Sequence, residues 1–128
     1  MTKLNTVLCI GDVILDYYSE GLIERISPEA PIPILKLLKS ERMVLGGSGN
    51  VARNICEAGS KCHLISVVGV DEDSERIVKL CNQEKNLTFD LIQDNQRCTT
   101  KKQRFVSGNQ QIIRVDREET NTIDEKIE

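Results

Sequence analysis

The sequence predicts an α/β fold in which a parallel sheet is covered by helices and carries an inserted β-strand lid. Short apolar runs alternate with amphipathic helical patterns, which is typical of a parallel sheet. Two β-rich segments, at about 17–45 and 98–116, interrupt that alternation and are predicted to form the lid. The 128 residues are 39% hydrophobic and 29% charged, so we expect one domain, 1–128, with a buried core.

The first apolar run, Thr6–Gly11, is predicted to be a fully buried strand. Asp12 and Asp16 follow it, and the carboxyl end of a buried strand is where open α/β sheets bind their ligands. The segment at 17–45 contains Pro28, Pro31 and Pro33, which confine strands to sheet edges and strand ends. We therefore expect two extended strands that project from the main body.

A helical pattern begins at the glycine-rich turn Gly46–Asn50 and ends at Gly59, which occupies the position after the helix C-terminus. The remaining chain continues the alternation and adds a hairpin. The predicted elements are a strand over 61–69, a helix capped by Asp71 or Asp73, a strand over 88–93, a hairpin around Ser107–Gln110 and the start of a helix over 120–128.

Composition argues against several classes of partner. The chain has 17 basic and 20 acidic residues, a net charge of -3 and 3% aromatic residues, so we expect no nucleic-acid partner. Apolar runs are too short for a membrane span and acid occurs too early for a signal peptide, which predicts a cytoplasmic protein without a membrane partner. The five Cys form no CxxC pair and one His is present, so reduced thiols and no metal site are expected.

The turn at 46–50 is the strongest local indication of a ligand site. Its glycines allow a ligand to approach the backbone at a helix N-terminus, and the amide of Asn50 suits a sugar hydroxyl. A tight turn without a ligand remains an alternative. A phosphate-binding P-loop is excluded because no Lys follows the glycines. Gly47–Ala52 satisfies the dinucleotide pattern GxGxxA, but residues 36–42 are too polar for the buried strand that should precede it.

Three charged residues are further candidates for ligand binding. Asp16 can accept hydrogen bonds from two vicinal hydroxyl groups, although a capping or turn role remains open. Lys102 and Arg104 flank Gln103, so in a strand both point to one face and can hold an anionic group. A solvated strand face is the alternative for this pair.

These motifs together resemble the N-terminal half of the ribokinase-type (PfkB) carbohydrate kinases, and among them the heptose 7-phosphate kinases. The segments that carry the resemblance cover most of residues 6–116. Ser48-Gly49 departs mildly from the pattern, because small residues such as alanine are common there. The matching segments are GDVILDYY at 11–18, RISPEAPIPILK at 25–36, GGSGNVARNI at 46–55 and GNQQIIRVD at 108–116.

The resemblance implies a Rossmann-like core whose β lid packs against the lid of a second copy, giving a homodimer. It implies phosphoryl transfer from ATP, with Mg²⁺, to the anomeric hydroxyl of a heptose 7-phosphate in lipopolysaccharide precursor synthesis. Carried over by position, Asp16, Gly47 and Asn50 bind sugar hydroxyls and Gly46 shapes the turn. Lys102 and Arg104 are then expected in the lid near the sugar phosphate.

The catalytic Asp of this family lies in a Gly-Ala-Gly-Asp turn in its C-terminal half, and that motif does not occur in these 128 residues. We therefore expect no catalytic residue here and interpret the chain as a fragment. The second hypothesis is a non-catalytic module that binds a sugar phosphate or dimerises.

Overall fold

The structure, a computed structural model, describes residues 5–123. This part of the chain forms seven strands and two helices arranged in two sheets. In chain order the elements are β1 (Thr6–Ile10), β2 (Val13–Ile26), β3 (Pro33–Gly47), α1 (Ser48–Glu57), β4 (Lys61–Val68), α2 (Glu72–Gln83), β5 (Leu87–Gln93), β6 (Lys101–Ser107) and β7 (Gln110–Arg117).

The first sheet, which we call the core sheet, is parallel and has the strand order β1-β4-β5. Every second side chain of β4 is buried, as the period of a strand requires. These side chains meet the apolar faces of α1 and α2, where Ala52 and Ile77 are fully buried. The core of the protein therefore lies between the core sheet, the start of β2 and the two helices.

β1 differs from the buried strand that the sequence predicts. Leu8 is 57% exposed and Ile10 is 70% exposed. Within residues 5–123, β1 has only β4 as a strand neighbour, and Leu8 and Ile10 point to the face opposite Cys9, which packs on the core. The prediction of a fully buried β1 is therefore wrong for this part of the fold.

The second sheet, which we call the lid sheet, has the order β3-β2-β6-β7. β2 runs antiparallel to β3 and parallel to β6, and β6 and β7 form an antiparallel hairpin with Gly108 in its turn at φ 57°. The two predicted lid segments thus form one sheet. Its strands reach nearer to the core than predicted, since β2 begins at Val13 and β3 ends at Gly47.

Asp16 does not follow the first strand, as the sequence analysis assumed, but lies inside the second. β1 ends at Ile10, and β2 begins after Gly11 and Asp12. In β2, the side chains of Val13, Leu15 and Tyr17 are buried in strict alternation. This alternation fixes Asp16 on the opposite face of the lid sheet.

The two sheets are joined by polar contacts at the carboxyl ends of the core strands. Ser66 accepts a hydrogen bond from the backbone of Val13 (2.9 Å). Asp71 caps α2 by accepting from Ser74 N (2.9 Å), as predicted, and also accepts from Thr99 N (2.9 Å) just before β6. Burial opposes ionisation of Asp71, but these N–H donors outweigh it and lower its pKa.

The ends of the remaining predicted elements are as follows. Gly59, at φ 90°, comes directly after the cap of α1, which confirms the predicted helix end. Residues 120–123 are irregular, and the rest of the helix predicted over 120–128 lies outside the described residues. No helix of residues 5–123 has the length and apolar character needed to cross a bilayer.

Candidate functional site

The candidate site is centred on Asp16, which lies between Val44 of β3 and Lys102 of β6 in the lid sheet. Its side chain is 19% exposed, and Oδ1 accepts a hydrogen bond from Nη1 of Arg104 at 2.5 Å. No donor from residues 5–123 bonds to the second oxygen, Oδ2. Asp16 is thus fixed in place through Oδ1, and its Oδ2 lies against Gly46.

Gly46 makes room for this carboxylate. A Cβ on Gly46 would lie 2.2 Å from Oδ2 and 2.8 Å from Cγ of Asp16, so an alanine cannot fit without moving the acid. Gly46 lies within β3, opposite Ile14, and the turn itself is made one residue later. The structure therefore gives Gly46 a spatial role beside Asp16 rather than the turn-shaping role that the resemblance implied.

Gly47 forms the turn from β3 into α1. Its φ of 57° lies in the left-handed region, and a Cβ there would lie 2.3 Å from the carbonyl oxygen of Asp12. Ser48 fastens the turn to the β1–β2 junction, because its backbone N–H donates to Asp12 O and its hydroxyl donates to Gly11 O, both at 2.9 Å. Among the described residues no side chain caps α1, so N–H groups of its first turn have no side-chain partner there.

Asn50 is the third residue of α1 and is partly buried. Its side-chain oxygen accepts a long hydrogen bond from Nη2 of Arg53 (3.4 Å). Because α1 begins directly after Gly46 and Gly47, Asn50 lies within one helical turn of these glycines. The glycine turn, Asn50 and Asp16 are thus gathered around the junction of β2, β3 and α1.

Lys102 and Arg104 lie on the same face as Asp16, as their spacing predicts, because Asp16 and Tyr18 are their register partners in β2. Arg104 bonds to Asp16, whereas Lys102 lines a neighbouring cleft of about 650 Å³. Asp12, Ile14 and Thr100 also line this cleft. Its walls also include the acids Glu118 and Glu119, whereas Asp16, the glycine turn and Asn50 do not line it.

Sequence reasoning missed three residues near Asp16. Thr100 could have been found, since it lies two residues before Lys102, at the entry to β6. Tyr18 could also have been found, since it follows Asp16 at strand spacing. Arg42, whose guanidinium lies 4.3 Å from the centroid of the Tyr18 ring, could not, because its position depends on the β2–β3 register.

The charge state of Arg104 follows from its contacts. The hydrogen bond to Asp16 raises the pKa of the Arg104 guanidinium, against the opposing effect of burial. Arg104 therefore stays cationic and holds Asp16 by a charge-assisted bond. In contrast, within residues 5–123 no three His, Cys, Asp or Glu side chains gather closely enough to hold a metal ion.

The fit between Gly46 and Asp16 leads to a double-mutant prediction. We expect Gly46→Ala to lower the free energy of unfolding by about 1–3 kcal/mol, because the new methyl group collides with the carboxylate. In an Asp16→Ala background the same change should cost much less. Urea unfolding of the two single variants and the double variant measures this coupling.

The contact of the new Cβ with Ile14, at 3.3 Å, is present in both backgrounds and so serves as an internal control. An equal loss of stability in both backgrounds would show that Gly46 and Asp16 do not share this space.

Comparison with known proteins identifies the family of the chain. The family model described as pfkB family carbohydrate kinase matches residues 4–127. The bifunctional protein HldE of Caulobacter sp. (strain K31) is 42% identical over 119 residues, which are 93% of this chain and 24% of that protein. The chain thus spans about a quarter of the length of this curated relative.

Solved structures show the same fold. A carbohydrate kinase from Agrobacterium tumefaciens matches with a TM-score of 0.66 and 21% identity, and Arabidopsis thaliana ribokinase complexed with ribose and ATP matches with a TM-score of 0.64 and 16% identity. Each match covers 88% of this chain and 35% of the other chain. They confirm the predicted ribokinase-like α/β fold, of which this chain forms a part. The chain belongs to the pfkB family of carbohydrate kinases.

Proposed function

We propose that this chain supplies sugar-binding residues of a kinase that phosphorylates the anomeric hydroxyl of a heptose 7-phosphate. The observation that carries the proposal is the Asp16 carboxylate, which Arg104 holds by one oxygen and whose other oxygen lies beside Gly46 without a hydrogen-bond donor from residues 5–123. The heptose 7-phosphate itself is inferred from the resemblance of RISPEAP and GNQQIIR to kinases of that sugar.

Asp16 and the start of α1 would bind the sugar hydroxyls. Oδ2 of Asp16 accepts hydrogen bonds from hydroxyl groups, and a carboxylate is a strong acceptor because it is charged. The backbone at Gly47 and the amide of Asn50 add donors and an acceptor on the opposite side of the sugar. Gly46 contributes by leaving space for Asp16.

Lys102 and Arg104 would face the sugar phosphate. Lys102 supports this role because it lines the cleft, is partly buried and forms no ion pair within residues 5–123. Arg104 already donates to Asp16, so it links the hydroxyl-binding acid to the phosphate end of the sugar.

The phosphoryl donor in this proposal is ATP with Mg²⁺. The described residues do not fit a metal site, since they contain no suitable cluster of ligands. We therefore derive no catalytic step from this chain and assign it no catalytic residue. The product would enter lipopolysaccharide precursor synthesis, which places the protein in the cytoplasm.

A non-catalytic sugar-phosphate-binding module is the second candidate. The missing Gly-Ala-Gly-Asp motif in these 128 residues motivates it. In a coupled assay of ATP consumption, turnover by the 128-residue chain above a no-enzyme control would exclude the second candidate.

The role of Asp16 gives a direct prediction. We expect Asp16→Asn to weaken binding of heptose 7-phosphate by about tenfold or more, because a charged acceptor becomes neutral and the bond from Arg104 is no longer charge-assisted on both sides. Isothermal titration calorimetry measures the change. Asp90→Asn, which neutralises an exposed acid of β5, is the matched control and should bind like the parent chain. Unchanged binding by Asp16→Asn would remove Asp16 from the site.

We also propose that the chain forms a homodimer through its lid sheet, as the resemblance implies. An apolar groove of about 540 Å³ lies between the β2–β3 and β6–β7 hairpins, lined by Ile32, Leu35, Leu37, Phe105, Ile112 and Ile113. Phe105 and Ile113 are register partners and Phe105 follows Arg104, so they face away from Asp16. A second copy can cover this groove without blocking the sugar site.

The dimer proposal predicts that Leu37→Asp lowers the association constant at least tenfold, because it places a charge in the apolar groove. Leu37 is 54% exposed, so the substitution should not disturb the fold of one copy. Val70→Asp, at a position that is 62% exposed outside the groove, is the control. Sedimentation equilibrium decides, and the same association constant for the Leu37 variant and the parent would contradict the proposal.

A further inference from the structure

An acidic side chain in the first turn of α2 is almost fully buried, although it takes no part in the site around Asp16. The side chain of Asp73 is 5% exposed. Burying a carboxylate to this depth costs free energy unless cations and hydrogen-bond donors compensate it. Three cationic side chains reach its oxygens, one from α2 and two from the lid sheet, namely Arg76, Lys101 and Arg117.

The two oxygens of Asp73 contact different elements of the fold. Oδ1 accepts a hydrogen bond from Nη1 of Arg76 at 2.6 Å, within α2 itself. Oδ2 lies 3.7 Å from Nζ of Lys101 and 4.0 Å from Nη1 of Arg117. Lys101 and Arg117 are register partners at the base of the β6–β7 hairpin. One carboxylate therefore connects α2 to both strands of that hairpin.

Of the two hairpin cations, Lys101 makes the closer and better shielded contact. Its side chain is 20% exposed, and Nζ also lies 4.8 Å from the centroid of the Tyr17 ring. The side chain of Arg117 is 60% exposed, and water and salt screen an exposed ion pair more than a partly buried one. Lys101 is therefore the main link between Asp73 and the lid sheet.

The same end of α2 also holds the chain just before β6. Thr99 is buried, its backbone N–H donates to Oδ2 of Asp71 (2.9 Å), and its hydroxyl accepts from the backbone N–H of Gly69 (3.0 Å). These bonds fix β6 at its entry, but a single fixed point does not set the direction of a hairpin. The contact between Asp73 and Lys101, two residues further along, supplies a second point.

Lys101 lies on the opposite face of β6 from the side chains proposed to bind the sugar. Its register partner in β2 is the buried Leu15, whereas Lys102 is paired with Asp16. Because Lys102 and Arg104 follow Lys101 on one strand, a rotation of β6 at Lys101 moves Arg104 relative to Asp16. The contact on the core-facing side thus controls the geometry on the other side.

We propose that Asp73 is a positioning residue, which sets the direction of the β6–β7 hairpin through Lys101 and thereby the bond between Arg104 and Asp16. Asp73 does not touch the sugar in this arrangement. The expected effect on sugar affinity rests on the proposed function, whereas the anchoring of the hairpin is tested without any sugar.

The test uses Asp73→Asn, which keeps the size of the side chain and an acceptor for Arg76 but removes the charge that attracts Lys101. In hydrogen exchange followed by NMR, the amides of β6 and β7 should lose protection at least tenfold, and those of β4 less than threefold. The guanidinium N–H signals of Arg104, which the bond to Asp16 holds in place, should broaden. Calorimetric binding of heptose 7-phosphate should weaken about tenfold.

Two further variants separate anchoring from a general loss of stability. Glu72→Gln removes an acid of the same helical turn that is 85% exposed and whose only ion pair within residues 5–123 is with Arg76, so it should behave like the parent chain. Lys101→Met keeps the apolar stem beside Tyr17 and should reproduce the effects of Asp73→Asn. In the Lys101→Met background, Asp73→Asn should add less than a twofold change.

The sugar-free measurements keep failure of this inference distinct from failure of the proposed function. If the parent chain binds no heptose 7-phosphate but the hairpin amides and the Arg104 signals respond as stated, the proposed function fails and the anchoring role of Asp73 stands. The inference is overturned if Asp73→Asn leaves those signals unchanged, if β4 loses as much protection as the hairpin, or if the parent and Asp73→Asn bind the sugar equally. Should Asp73→Asn fail to fold, the same outcomes for Lys101→Met decide.

Discussion

The contact between Asp16 and Gly46, locked by Arg104, is the constraint on which the site depends. Three strands of the lid sheet meet at this point, since Gly46 belongs to β3, Asp16 to β2 and Arg104 to β6. The missing Cβ admits the carboxylate and the guanidinium fixes one of its oxygens. An acid held in this way is preorganised, so a ligand need not bear the cost of ordering it.

The lid sheet places the two proposed roles on its two faces. Strand alternation directs Asp16, Lys102 and Arg104 to one face and Phe105 to the other. The first face carries the charges proposed for a sugar phosphate, and the second carries the apolar groove proposed for a second copy. Because both faces share the same strands, a change in how the lid packs would also shift the side chains of the proposed sugar site.

Local patterns in the sequence were enough to predict most elements. Glycine at 47 and 59, the prolines at 28–33 and the Gly-Asn turn at 108–109 each mark a boundary that the structure confirms, because these residues act on their own backbone. The exposure of β1 and the position of Asp16 within β2 were not predicted. Both depend on which strands become neighbours, and that is a tertiary property.

The same distinction applies to the site. The shared face of Lys102 and Arg104 follows from spacing alone and was predicted correctly. The pairing of Arg104 with Asp16, the spatial role of Gly46 and the place of Arg42 beside Tyr18 required the registers of β2 with β6 and with β3. A single sequence does not specify these registers, since the bulge after Ser19 shifts one of them.

A crystal structure of the chain with heptose 7-phosphate tests the central claim most directly. The account predicts vicinal sugar hydroxyls within hydrogen-bond distance of Asp16, with Asn50 on the other side of the sugar and the phosphate against the lid cations. Sugar bound at a different place, or a crevice beside Asp16 and Gly46 filled by apolar side chains, would contradict it.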